Sequence, residues 1–136
     1  MDYSQLISKA VEASKKAYAP YSHFHVGAAV LVESGAVYAG CNVENASYGA
    51  AICAERNAIT TAIANGERKL SAIALVGGMD GDFADYCSPC GICRQVMREF
   101  CDPAKFSVVL AKSPTDYKVL TLAQLLPESF GPESLG

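Results

Sequence analysis

Residues 53–56 read Cys53-Ala54-Glu55-Arg56, and residues 88–93 read Ser88-Pro89-Cys90-Gly91-Ile92-Cys93. Between them lie an Ala- and Ile-rich segment to Ala64, the pair Asn65-Gly66, the apolar run 71–76 and a long loop opened by Gly77-Gly78. Residues 53–64 have the composition of a helix, and Asn65-Gly66 is a C-terminal helix signal. Residues 71–76 read as a buried strand. Ser88 and Pro89 fit the N-cap and first position of a second helix, which runs to about Cys101 and is broken by Asp102-Pro103. A third apolar run, 106–111, reads as the next strand. Strands alternating with helices require crossover connections, and so a sheet with helices on its faces.

Upstream, Leu6, Ile7, Ala10, Val11, Ala17 and Tyr18 follow a helical stripe, with Ser4 as N-cap and an end before Pro20. The Val-rich run 25–32 and the run 36–42 flank Glu33-Ser34-Gly35 as the two strands of a hairpin. Residues 43–51 form a loop of small residues. Downstream, residues 117–120 make a short last strand, and Thr121 caps a closing helix to Leu126. The tail 127–136 is rich in Pro, Gly and Ser and is expected to be poorly ordered on an isolated chain. The pattern predicts one α/β domain over residues 1–136, built on a mixed sheet.

The chain has 136 residues, 51% of them hydrophobic, which is enough for one core and too apolar for a disordered segment. A net charge of -3 and a pI near 5.3 argue against a nucleic-acid or membrane-surface partner. Lys15-Lys16 and Arg68-Lys69 are short solvated pairs and form no basic groove. No basic segment followed by an apolar core opens the chain, and no apolar run reaches membrane-spanning length, so a cytoplasmic location is expected. In a reducing compartment, six closely spaced cysteines point to metal or catalysis before disulfides.

Cys90 and Cys93 share one face of a predicted helix start, and Cys53 opens the other helix. Both helix N-termini then aim free N–H groups at one point, which stabilises thiolates. Three thiolates suit zinc, and a site with three protein ligands keeps a fourth position for water. Glu55 is placed to move protons without binding the metal. Regular helical spacing sets residues 53 and 55 about 200° apart. Both can address one metal only if Cys53 lies at the very start of its helix. Three thiolates on a divalent ion leave one net negative charge, which opposes acidification of water, and Arg56 is the nearby cation that can offset it by donating to ligand sulfur. A closed four-cysteine structural site is the alternative, with Cys41, Cys87 or Cys101 as fourth ligand. Such a site gives Glu55 no purpose. His23 and His25 read as surface or packing residues.

Cysteine ligands with this glutamate are the signature of zinc deaminases of nucleobases, and the chain resembles the small, homotetrameric, three-cysteine type of cytidine deaminase over nearly its whole length. The resemblance is carried by Ala19-Pro20-Tyr21-Ser22, Phe24, Val26-Gly27-Ala28-Ala29 and Gly40-Cys41-Asn42-Val43-Glu44-Asn45-Ala46-Ser47-Tyr48. It continues through Cys53-Ala54-Glu55-Arg56 and Pro89-Cys90-Gly91-Ile92-Cys93-Arg94-Gln95 to Leu125-Leu126-Pro127 and Phe130. It implies a three-layer α/β sandwich with about five strands, one Zn2+ per chain held by Cys53, Cys90 and Cys93, and hydrolysis of cytidine or 2'-deoxycytidine to the uridine nucleoside and ammonia. Glu55 would take the proton of the attacking water, protonate N3 of the ring and deliver a proton to the leaving amine. Asn42 and Glu44 would bind the ribose 3'-hydroxyl, Phe24 would pack on the pyrimidine face, and the Ala54 N–H would meet the base. Tyr48 and Phe130 would reach into a neighbouring subunit's site, which orders the tail at subunit interfaces. A blasticidin S deaminase is the nearest alternative, a polynucleotide-editing deaminase a further one, and a non-catalytic zinc-stabilised binding module the one from another class.

Overall fold

The computed structural model describes residues 2–136; Met1, at the head of the segment read as free of a targeting signal, lies outside them. Helix α1 (Ser4–Ser14) leads into the hairpin β1 (Phe24–Val32) and β2 (Val37–Cys41). Helix α2 (Ala54–Ala64), strand β3 (Leu70–Met79), helix α3 (Gly91–Glu99), the hairpin β4 (Ser107–Ser113) and β5 (Asp116–Thr121), and helix α4 (Leu122–Leu125) follow. Single 3-10 turns occupy Tyr48–Ala50 and Pro132–Leu135. The strands form one mixed sheet in the order β2-β1-β3-β4-β5. Strand β3 runs parallel to β4, as the crossover through α3 requires, and every other pair is antiparallel.

Alternation along the strands divides the core in two. Val30, Val32, Ile73, Leu75, Val108 and Leu110 point to the face covered by α2, α3 and α4, where Ile59, Met97, Phe106 and Leu122 complete the packing. Ala29, Ala72, Ala74, Val76, Val109 and Ala111 point to the other face, on which Leu6, Ile7 and Ala10 of α1 lie. The small side chains on that side let one helix sit close to the sheet. Helices on both faces of a mixed sheet make the expected three-layer arrangement.

Several boundaries depart from the sequence reading, each for a local reason. The Asp2 carboxylate accepts the Ser4 N–H at 2.9 Å, so Asp2 and not Ser4 supplies a side-chain partner at the start of α1. Helix α1 stops at Ser14 because Tyr18 is needed elsewhere. Its N–H donates to Asn42 O at 3.0 Å and its carbonyl accepts from Glu44 N at 2.8 Å, which ties the 43–51 loop down. Strand β3 continues through Gly77 and Gly78, which pair with Val26 and His25 instead of opening a loop. A Cβ at Gly77 would lie 2.8 Å from Cys87 Sγ, so these glycines serve the close approach of the segment that returns over them. Helix α3 begins two residues later than read, with Cys90 as its N-cap in place of Ser88. The tail packs against α3 of its own chain: Arg98 Nε donates to Ser129 Oγ at 2.7 Å and Gln95 Nε2 to Phe130 O at 2.9 Å.

Candidate active site

Cys53 and Cys90 are each the N-cap of a helix, with extended backbone (φ -75°, ψ 154° and φ -70°, ψ 168°). Neither has begun the helical turn, which removes the angular conflict between Cys53 and Glu55. Cys53 Sγ stands 3.7 Å from Cys90 Sγ, and Cys90 Sγ stands 3.4 Å from Cys93 Sγ. All three sulfurs lie within 4.8 Å of one another. Tetrahedral zinc with bonds of about 2.3 Å spaces its sulfurs about 3.8 Å apart, so the donor set and its spacing fit that ion. Among the described residues no fourth His, Cys, Asp or Glu joins the group, and a closed four-cysteine site is not formed. Burial pushes Cys87 and Cys101 up to about 12, which keeps both as thiols.

The Cys53 thiol ionises well below the ordinary cysteine range. A hydrogen bond from Cys93, with help from Arg56 and Cys90, brings it down to about 5 against the opposing effect of burial. Cys93 is correspondingly held up by the sulfur it bonds. An Nη of Arg56 donates to Cys53 Sγ at 3.6 Å, the contact expected of a cation that draws charge from the ligand set. Among the described residues the buried Arg56 Nε has no hydrogen-bond partner.

Glu55 is only 4% exposed. Burial raises its carboxyl to about 7, with the Cys53 charge adding to the effect. It lines a cleft of about 330 Å3 together with Asn42, Glu44, Tyr48, Cys53, Ala54, Arg56 and Cys90. The structure therefore gathers eight of the residues singled out in the sequence around one opening.

Asn42 and Glu44 reach this cleft already committed to the backbone. Asn42 Oδ1 accepts Val26 N at 2.9 Å and its Nδ2 donates to Phe24 O at 2.8 Å, so the amide extends the sheet at the start of β1. Glu44 Oε1 accepts Tyr21 N at 3.0 Å and Ser22 N at 3.1 Å, and its Oε2 accepts the Ser22 hydroxyl. The Ser22 hydroxyl bond, foremost among these, holds the Glu44 carboxyl below its usual range.

Two expected residues stand apart. Phe24 lines an adjoining cavity of about 170 Å3 that shares Cys87 with the main cleft. Phe130 lies on the tail, 58% exposed and outside the cleft of its own chain. Sequence reasoning missed Cys87 as a wall of the site. Arg94, quoted above without a role, donates from Nε to Pro89 O at 2.8 Å and from Nη1 to Leu125 O at 2.7 Å. Arg94 and Arg98 recur four residues apart on α3, the pattern that marks one helix face.

Comparison with known proteins gives a consistent picture. Residues 1–110 match the family described as the cytidine and deoxycytidylate deaminase zinc-binding region. The chain is 44% identical over 135 residues to a cytidine deaminase of Sporosarcina psychrophila, covering 99% of this chain and 96% of the relative. It is 45% identical to that of Halalkalibacterium halodurans, covering 99% and 98%. The crystal structure of cytidine deaminase from Burkholderia pseudomallei superposes with a TM-score of 0.85 at 47% identity, over 96% of this chain and all of that one (100%).

Proposed function

The chain belongs to the cytidine and deoxycytidylate deaminase family, and from that premise we propose that Glu55, in the cleft beside Cys53, Cys90 and Cys93, carries the hydrolytic deamination of cytidine and 2'-deoxycytidine. The activity is zinc-dependent and its products are the uridine nucleosides and ammonia. The observation that carries the site assignment is the open set of three thiols with a buried carboxylate in the same cleft.

Cys53, Cys90 and Cys93 hold the ion, which when bound acidifies a water and so supplies a nucleophile at neutral pH. Glu55 takes one proton from the attacking water and passes it to ring N3, then takes the second from the resulting C4 hydroxyl and gives it to the leaving amine, which departs as ammonia. A single carboxyl can serve each transfer in turn because it stands on the first turn of α2, in the cleft beside Cys53 and Cys90. Ala54 is the first residue of α2, where an N–H has no partner within the helix and is free to meet the base. A carboxylate offers about four acceptor directions. Glu44 uses three of them internally and keeps one for a sugar hydroxyl, beside the remaining amide N–H of Asn42. Phe24 packs at the edge of the base pocket through the shared Cys87 wall.

The working form is a homotetramer whose subunits complete one another's sites. Tyr48 at 81% exposure and Phe130 at 58% support this reading, since each offers an aromatic ring to a second copy. The role is pyrimidine salvage in the cytoplasm, on free nucleosides and not on nucleic acid or at a membrane. No helix among the described residues is long and apolar enough to cross a membrane.

An ultraviolet turnover assay on metal-quantified protein tests the reading, with cytidine, 2'-deoxycytidine, blasticidin S and adenosine in parallel. Rapid loss of the cytidine signal, abolished by zinc removal, is the expected result. Turnover of blasticidin S alone, or none with one zinc per chain, would overturn it.

A further inference from the structure

Arg98 is a charged residue of α3 that is only 8% exposed, and the mechanism makes no use of it. Its guanidinium donates through Nε to Ser129 Oγ at 2.7 Å and through Nη2 to the Glu133 carboxylate. Gly131 packs against the same guanidinium, so closely that a Cβ there would lie 2.4 Å from Arg98 Cζ. One turn earlier, Gln95 Nε2 holds Phe130 O at 2.9 Å. The peptide on either side of Phe130 is thus fixed to α3 while its ring is left free. A buried guanidinium with two side-chain partners is a directional clamp, since its planar fork accepts only one arrangement of acceptors.

We propose that Arg98, assisted by Gln95, is a positioning residue that sets the direction in which the tail presents the Phe130 ring. The inference rests on the reading that Phe130 completes a substrate site in a neighbouring copy. The clamp makes that presentation a fixed feature of the folded chain, so the ring does not have to be ordered each time substrate binds. Because Glu133 is 66% exposed on its outer side, the ion pair is open to screening, and presentation weakens as salt rises.

The test uses the zinc-loaded full chain, comparing Arg98→Met, Arg98→Lys and Phe130→Ala with the parent. In Arg98→Met we expect KM for cytidine to rise about tenfold with kcat changed much less, the pattern of a lost binding contact. Zinc content is expected to stay at the parental level, and limited proteolysis to cut the tail sooner. Arg98→Lys restores part of the KM. The parental KM climbs from low to molar salt, whereas that of Arg98→Met stays nearly flat. A raised KM in Phe130→Ala with a parental KM in Arg98→Met would overturn the inference and leave the Phe130 reading standing. Equal losses of kcat and zinc in Arg98→Met, unrelieved by lysine, would also overturn it by showing a purely structural residue. A parental KM in Phe130→Ala would remove the Phe130 reading itself, and the positioning role with it.

Discussion

Glu55 and Arg56 are neighbours in sequence with separate tasks, because one lines the cleft as a buried acid and the other leans on a ligand sulfur. Glu55→Gln keeps the size and hydrogen bonding of the side chain and removes its capacity to carry protons. We expect zinc retained, cytidine still bound, and kcat reduced by about 10^2–10^4, as for loss of a general acid–base group. Equilibrium binding together with single-turnover rates separates these effects, and substantial residual deamination would remove Glu55 from its role. Arg56→Gln withdraws a positive charge from beside Cys53. The ligand set becomes effectively more negative, deprotonation of the attacking water becomes harder, and the acidic limb of the kcat/KM profile moves to higher pH by about one unit. An unmoved acidic limb would make Arg56 a packing residue of α2.

At the scale of elements, the site depends on how closely α2 approaches the sheet edge. A Cβ at Gly40 of β2 would lie 2.5 Å from Ala58 N and 2.9 Å from Asn57 Cβ, so Gly40→Ala must push α2 and its N-cap Cys53 outward. Overpacking of this kind costs about 1–3 kcal/mol, and denaturant unfolding of the variant measures it. Helix α4 offers a smaller test. Thr121 and Gln124 form a reciprocal capping box, so Thr121→Ala should lower stability by about 1 kcal/mol with activity unchanged. The elements of the sheet and the metal site were legible because their signals are local: the Val-rich apolar run of β1, the Asn65-Gly66 stop, and thiols at helix starts. The capping of α4 by Thr121 was readable for the same reason. What escaped was set by distant partners. Helix α1 ends early because Tyr18 pairs with the loop at Val43. The start of α3 shifts because Cys90 must stay extended to aim its sulfur. The packing of the tail on α3 escaped because its composition says nothing of Arg98, 31 residues away from Ser129 in sequence.

For the whole molecule, a site shared between subunits would make activity depend on association. If Tyr48 and Phe130 complete a neighbour's cleft, sedimentation should show a tetramer, and specific activity should fall on dilution through its dissociation range. Concentration-independent activity from a monomer would refute the shared site. Removing zinc with a strong chelator should abolish turnover and lower the melting temperature by about 10 °C, since an ion that binds the folded chain tightly stabilises it by mass action. The placement of the thiols adds a further consequence. Cys53 and Cys90 are 37 residues apart and belong to helices on either side of the β3 crossover. An ion joining them acts as a reversible cross-link, closing a long loop of polymer that the bare chain must close by packing alone. Catalytic loading and topological reinforcement are then one event, and a chain that has lost its catalyst has also regained the conformational freedom of that loop.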